Sequence, residues 1–118
     1  MPKEFSRSRR IAEQIKRELA PRIQSQALDW GLGLVSVTAV DVSPDLKDAK
    51  VFISCLQGSG YEAAARLNSC SGSLRQHLAK TMRLRAAPRL SVRHDESLER
   101  ARRLDALLRD THRRGQDR

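Results

Sequence analysis

The sequence predicts an α+β domain in which helices lie on one face of a three-stranded sheet, in the order helix, strand, strand, kinked helix pair, strand, helix. Three observations lead there. Ile11, Ile15, Leu19 and Ile23 recur at every fourth position, the spacing of one helix face. LVSVTAVDV (34–42) and AKVFISCL (49–56) are rich in β-branched residues and are separated by the turn-forming SPDLKD. A third alternating run, RLSVRH (89–94), comes only after a long helical region and is followed by another helical stripe. At 118 residues the chain accommodates one domain. Residues 1–110 are assigned to it, and 111–118 to a disordered basic tail.

The first helix is amphipathic. Its stripe carries Ala12, Ala20 and Ala27 beside the isoleucines, while Arg9, Arg10, Glu13, Lys16, Arg17 and Glu18 fall elsewhere. Pro21 is expected to kink it or begin a new segment, and Gly31 and Gly33 to end it. In the second strand Ala49, Val51, Ile53 and Cys55 share one face, with Lys50, Phe52 and Ser54 on the other. In the first, Val35 and Val37 are out of phase with Val40 and Val42, as a bulge near Ala39 or burial on both faces would require. Gln57-Gly58-Ser59-Gly60 opens the helical region 61–82. Pro88 closes it ahead of the third strand, where Leu90 and Val92 point inward. Asp95 or Ser97 can cap a last helix with Leu98, Ala101, Leu104 and Leu108 on one stripe. The tail THRRGQDR has no apolar anchor.

Net charge is +9, which favours an acidic partner, nucleic acid first among them. The charge is uneven. The 32 residues between Glu62 and Asp95 hold seven bases (Arg66, Arg75, Lys80, Arg83, Arg85, Arg89 and Arg93) and no carboxylate. Residues 1–31 and 97–118 each hold seven bases against four acids. One end of the molecule is therefore expected to be much more positive than the rest. A solvated basic face without a partner is the plainer reading of the same charges.

Other chemistry is poorly supplied. The N-terminal MPKEFSRSRR has no apolar run behind it and nothing approaches the roughly 20 apolar residues of a membrane span, so a cytoplasmic protein is expected. Cys55 and Cys70 stand alone, without the spacing of a zinc site or redox pair. Asp41, Asp45 and Asp48 cluster at the hairpin, but match no calcium loop and read as turn formers. His77, His94 and His112 lie on separate elements with no nucleophile beside them. No catalytic residue, metal, cofactor or small-molecule substrate is indicated, and the chain is expected to act as a monomer. With only Phe5, Trp30, Phe52 and Tyr61 as aromatic residues, a stacking platform like that of an RRM or OB fold is poorly supplied, and recognition of folded RNA through its shape and phosphates is expected.

The stretch SCSGSLRQHLAKTMRLR (69–85) interrupts a helical pattern with its poorest helix formers, Ser71-Gly72-Ser73. Such a break starts a new helix terminus, which attracts anions. Arg75, Lys80, Arg83 and Arg85 follow in the chain and would face the same anionic surface. The small residues would also let two helices cross closely, with Gly72 at the crossing.

VSPDLKDAKVFIS, CSGSLRQHLAK and MRLRAAPRLSVRHDESLERARRL together resemble the bacterial ribosome-binding factor A family, from about Phe5 to Leu108. The resemblance implies a type II KH-like fold without the Gly-x-x-Gly loop of ordinary KH domains, a motif absent from this chain. In its place the family has an Ala-x-Gly interhelical kink, matched here by Cys70-Ser71-Gly72. The resemblance also implies a non-enzymatic factor that binds the small ribosomal subunit during late assembly, helps mature its rRNA and supports growth in the cold. RNA contacts would fall to Arg75, Lys80, Arg83 and Arg85, and less strongly to Arg9, Arg10, Lys47 and Lys50. A different class of function stays open: a basic protein-interaction module that uses the apolar stripe of the last helix.

Overall fold

A computed structural model describes residues 3–116, with side-chain environments from 7 to 111 apart from Leu98. Its elements are α1 (Lys3–Asp29), β1 (Val35–Val42), β2 (Asp48–Cys55), α2 (Gly60–Ser69), α3 (Ser71–Thr81), β3 (Arg89–His94) and α4 (Ser97–Gln116). The α1 stripe is buried from Ala12 through Ile15, Leu19 and Ile23 to Ala27. Contrary to expectation Pro21 does not divide it; the proline is exposed and α1 runs uninterrupted past it. The helix ends where Gly31 turns left-handed, at φ 72. There Leu32 N–H donates to Ala27 O (2.9 Å) and Gly31 N–H to Leu28 O (3.0 Å), a paired C-terminal closure.

The strand order is β1-β2-β3, with β1 antiparallel and β3 parallel to β2. The expected bulge exists: register shifts between Val37 and Ala39, so Thr38 is the extra residue. The shift returns Val40 and Val42 to the face of Val35 and Val37, which resolves the phase conflict. Val35, Val51, Ile53 and Val92 form the sheet side of the core against Ile15, Leu19, Ile23, Leu67 and Leu78. The parallel β3 is reached by the α2–α3 crossover.

Two side-chain amides finish the sheet. Asn68 on α2 receives Val92 N–H on Oδ1 (2.7 Å) and donates from Nδ2 to Val92 O (2.9 Å), satisfying the outer edge of β3 as a further strand would. Gln24 on α1 does the same at the start of β1, donating to Gly33 O and accepting from Val35 N–H, both at 3.1 Å. Gly60 is required where α2 begins. A Cβ there would lie 2.0 Å from Nδ1 of His94.

The last helix departs from the layer. Every described side chain from Glu99 to Thr111 is exposed, including Leu104 (59%), Leu107 (65%) and Leu108 (61%). The radius of gyration is 17.7 Å, against about 13.5 Å for a globule of this length, because α4 projects from the body. It runs to Gln116, and residues 117 and 118 of the expected tail 111–118 lie outside the described residues.

Candidate nucleic-acid interface

The helical break falls at Cys70, which ends α2 and begins α3 with φ −114 and ψ 22. Its N–H donates to Leu67 O (3.1 Å), and its own carbonyl receives Ser73 N–H (3.1 Å) and Leu74 N–H (3.3 Å). Gly72 is not at a helix crossing. It is exposed, and a Cβ there would meet nothing within 4 Å. The small residues serve the break itself, since Ser and Gly give the continuous helix little advantage over a turn.

The expected alignment of this new helix terminus with the cations also fails. Lys80 is in the last turn of α3, and Arg83 and Arg85 lie beyond it. With 11 residues in α3, at about 1.5 Å per residue, roughly 16 Å separates them from its N-terminus. Arg75 is on α3, but turned back into the protein: Nη2 donates to Ala87 O (2.8 Å) and Nε to Pro88 O (3.1 Å). These bonds fasten the α3–β3 loop to the helix, so Arg75 positions the segment carrying Arg83 and Arg85.

The loop and the hairpin meet at the end of the sheet where β2 and β3 begin. Arg89 N–H donates to Lys47 O (2.8 Å), and the Arg89 guanidinium clasps Asp48 with Nε at 3.0 Å and Nη2 at 3.2 Å. In the hairpin turn, Asp45 Oδ1 accepts from Ser43 Oγ (2.7 Å) and Lys47 N–H (3.0 Å). These two bonds, the hydroxyl first, hold the Asp45 carboxyl below its usual pKa. Asp45 and Asp48 are thus occupied as turn and pairing groups. The start of α1 joins this end: Ser8, Arg9 and Ala12 share a surface groove with Val40, Val42 and Pro44. Arg10 flanks Arg9 beside Gln14 and Arg17.

Hydrogen bonds thus tie Lys47 and Arg75 to the segment that leads into β3, and Arg9 lies beside the end of β1. Lys80, Arg83 and Arg85 are exposed in the last turn of α3 and the loop after it, Lys47 is exposed in the hairpin, and Lys50 is exposed on β2. Arg83 has φ 51, a left-handed backbone that ends the helix and turns the chain into the loop. Arg66 and Arg93 are elsewhere, Arg66 lying over the Trp30 ring at 4.6 Å. The sequence reading missed the Asn68 strand mimic and the pairing of Arg89 with Asp48. The parallel register explains both, and nothing local signals it.

Among the described residues no group of three or more His, Cys, Asp or Glu side chains could hold a metal ion. No described helix is long and apolar enough to cross a membrane.

Residues 7–108 match the profile of the family described as Ribosome-binding factor A. A protein of that name from Xylella fastidiosa is 46% identical over 112 residues, covering 93% of this chain and 90% of the relative. One from Pseudomonas fluorescens is 45% identical and covers 92% and 84%. Among solved structures, ribosome-binding factor A from Thermus thermophilus aligns with a TM-score of 0.67 at 31% identity, covering 76% of this chain and 97% of that one. A Thermus thermophilus model fitted into a cryo-EM map of a 30S complex aligns at 0.62 with 32% identity, covering 72% and 91%. The fold is accordingly KH-like. A family profile spanning the body of the domain, and relatives this similar over nearly the whole chain, establish that this protein belongs to the ribosome-binding factor A family.

Proposed function

We propose that this protein binds the small ribosomal subunit through its rRNA during late maturation, supports processing of that rRNA and growth in the cold, and acts in the cytoplasm as a monomer without catalysis. The observation that carries this reading is the exposure of Lys47, Lys80, Arg83 and Arg85 on the hairpin, the end of α3 and the loop before β3, segments that Arg75 and Arg89 tie down, while Asp45 and Asp48 are already occupied. Phosphate contacts of this kind position a protein on folded RNA without reading bases. A relative's placement on a 30S particle supports the same partner. In a sucrose gradient of cell lysate, tagged protein should cosediment with small subunits at low potassium and leave them as potassium rises. Persistent absence from the small-subunit fractions would defeat the reading.

The uncovered α4 stripe of Ala101, Leu104 and Leu108 favours a second reading, in which this helix meets a protein surface. Binding that resists potassium and is abolished by Leu104→Glu would favour it.

A further inference from the structure

At the opposite end of the sheet, where β3 finishes and α4 begins, a groove opens between α2, the β3 edge and the root of α4. Two aromatic rings face it, half-buried Phe52 from the open sheet face and exposed Tyr61 from α2. Arg93 stands directly across from Phe52 in the strand register. Tyr61 is held in place rather than loose. Its ring lies against His94 (centroids 4.7 Å apart, planes at 55°) and its hydroxyl donates to Glu96. His94 is fixed in turn by Glu99 at 3.1 Å and by its close seat on Gly60.

The acids in the groove are engaged. Asp95 accepts from the Thr38 hydroxyl (2.5 Å) and from Ser97 N–H (2.9 Å). Glu96 receives Tyr61 and, at 2.9 Å, Arg100. Among the described residues Arg93 makes one long hydrogen bond, 3.4 Å from Nε to Ser91 Oγ, and the ends of its guanidinium are open to an external anion. A fixed aromatic ring, a second ring nearby and a cation free to bind phosphate are the parts of a single-nucleotide seat.

We propose that this groove takes one unpaired nucleotide of RNA, its base against Tyr61 and Phe52 and its phosphate on Arg93. Asn68, which also lines the groove, is held by Val92 through one amide hydrogen and one oxygen lone pair. The inference rests on the RNA-binding function proposed above and adds a second contact region, remote from the hairpin and the loop before β3.

The test titrates labelled full-length protein onto purified small subunits and adds oligouridine to isotope-labelled protein while the Tyr61 ring resonances are followed. Tyr61→Phe keeps the ring but loses its bond to Glu96, and should weaken binding less than Tyr61→Ala. Tyr61→Ala and Phe52→Leu should weaken binding about 5- to 150-fold, the loss of one base stack, and Arg93→Gln should reduce the salt slope by about 0.7 to 0.9. Oligouridine should move the Tyr61 resonances. Cooperatively folded Phe52→Leu and Tyr61→Ala variants with wild-type affinity, beside an Arg83→Ala/Arg85→Ala variant that binds poorly, would overturn the groove and leave the basic interface standing. Weakened groove variants with unmoved Tyr61 resonances would also overturn it, pointing to a protein occupant. If wild type fails to bind subunits the functional reading falls, and unmoved resonances then remove the nucleotide seat independently.

Discussion

Replacing Arg83 and Arg85 together with alanine tests the interface where it is most exposed. Neither side chain makes a described contact that the fold needs, so the double variant should unfold within about 0.5 kcal/mol of wild type. Arg83 has φ 51, and Ala suffers the same left-handed strain as Arg, so the backbone term cancels. If each guanidinium neutralises one phosphate, each contributes about 0.7 to 0.9 to the slope of log K against log salt. The variant should flatten that slope by about 1.4 to 1.8. Over a fourfold rise in potassium, wild type should therefore lose roughly 7- to 12-fold more affinity than the variant. Titrations onto purified small subunits at four or five potassium concentrations give both slopes. Parallel lines with equal affinity would remove Arg83 and Arg85 from the interface and shift it toward Arg9 and Arg10.

Arg75→Ala should behave differently, losing stability by about 1.5 to 3 kcal/mol because the Ala87 and Pro88 carbonyls lose a charged donor; urea unfolding measures it, and an unchanged midpoint would mean the loop is held otherwise. Gly60→Ala should destabilise by about 1 to 3 kcal/mol, since its methyl group falls on the His94 ring, whereas Gly72→Ala should be neutral or stabilising by up to about 1 kcal/mol because its methyl group enters open space; thermal melts showing the reverse order would contradict both placements. Asp95 is held below its usual pKa by the Ser97 and Thr38 hydroxyls and the Ser97 N–H. Its contribution is therefore present above the unfolded carboxyl value near 3.9 and lost as pH falls through the lower folded value. Thr38→Val should shrink this acid-side loss, as chemical unfolding between pH 5 and about pH 2 would show.

Much of the fold was legible because the residues that decide it are neighbours. The α1 stripe, the two hairpin strands and the break near Cys70 each follow from local spacing and backbone preference, and the phase conflict in β1 pointed to a bulge near Ala39 or burial on both faces, between which the register decides. What was illegible depends on pairs distant in sequence. Nothing near Gly60 announces that His94 will sit on it, 34 residues later in the chain. The sequence reading therefore placed steric demand on Gly72, the glycine whose neighbours are small. Asn68 looks like any surface polar residue until the parallel pairing of β3 brings Val92 to its amide.

The candidate interface shows the same limit in its sharpest form. Arg75 and Arg83 are the same residue type in one acid-free segment, and sequence weighs them equally. Their roles separate according to what lies within reach of the guanidinium. Arg75 meets two backbone carbonyls whose only other solution is water, and satisfying them fixes the loop. Arg83 meets none, because its left-handed backbone turns the chain away from α3. Spacing alone would have joined all four cations to the helix terminus at Cys70. The direction of α3 instead carries Lys80 to its far end, with Arg83 and Arg85 in the loop beyond, away from that terminus. The charge count indicated an acidic partner; which cations stay available to it depends on pairs distant in sequence, such as Arg89 with Asp48.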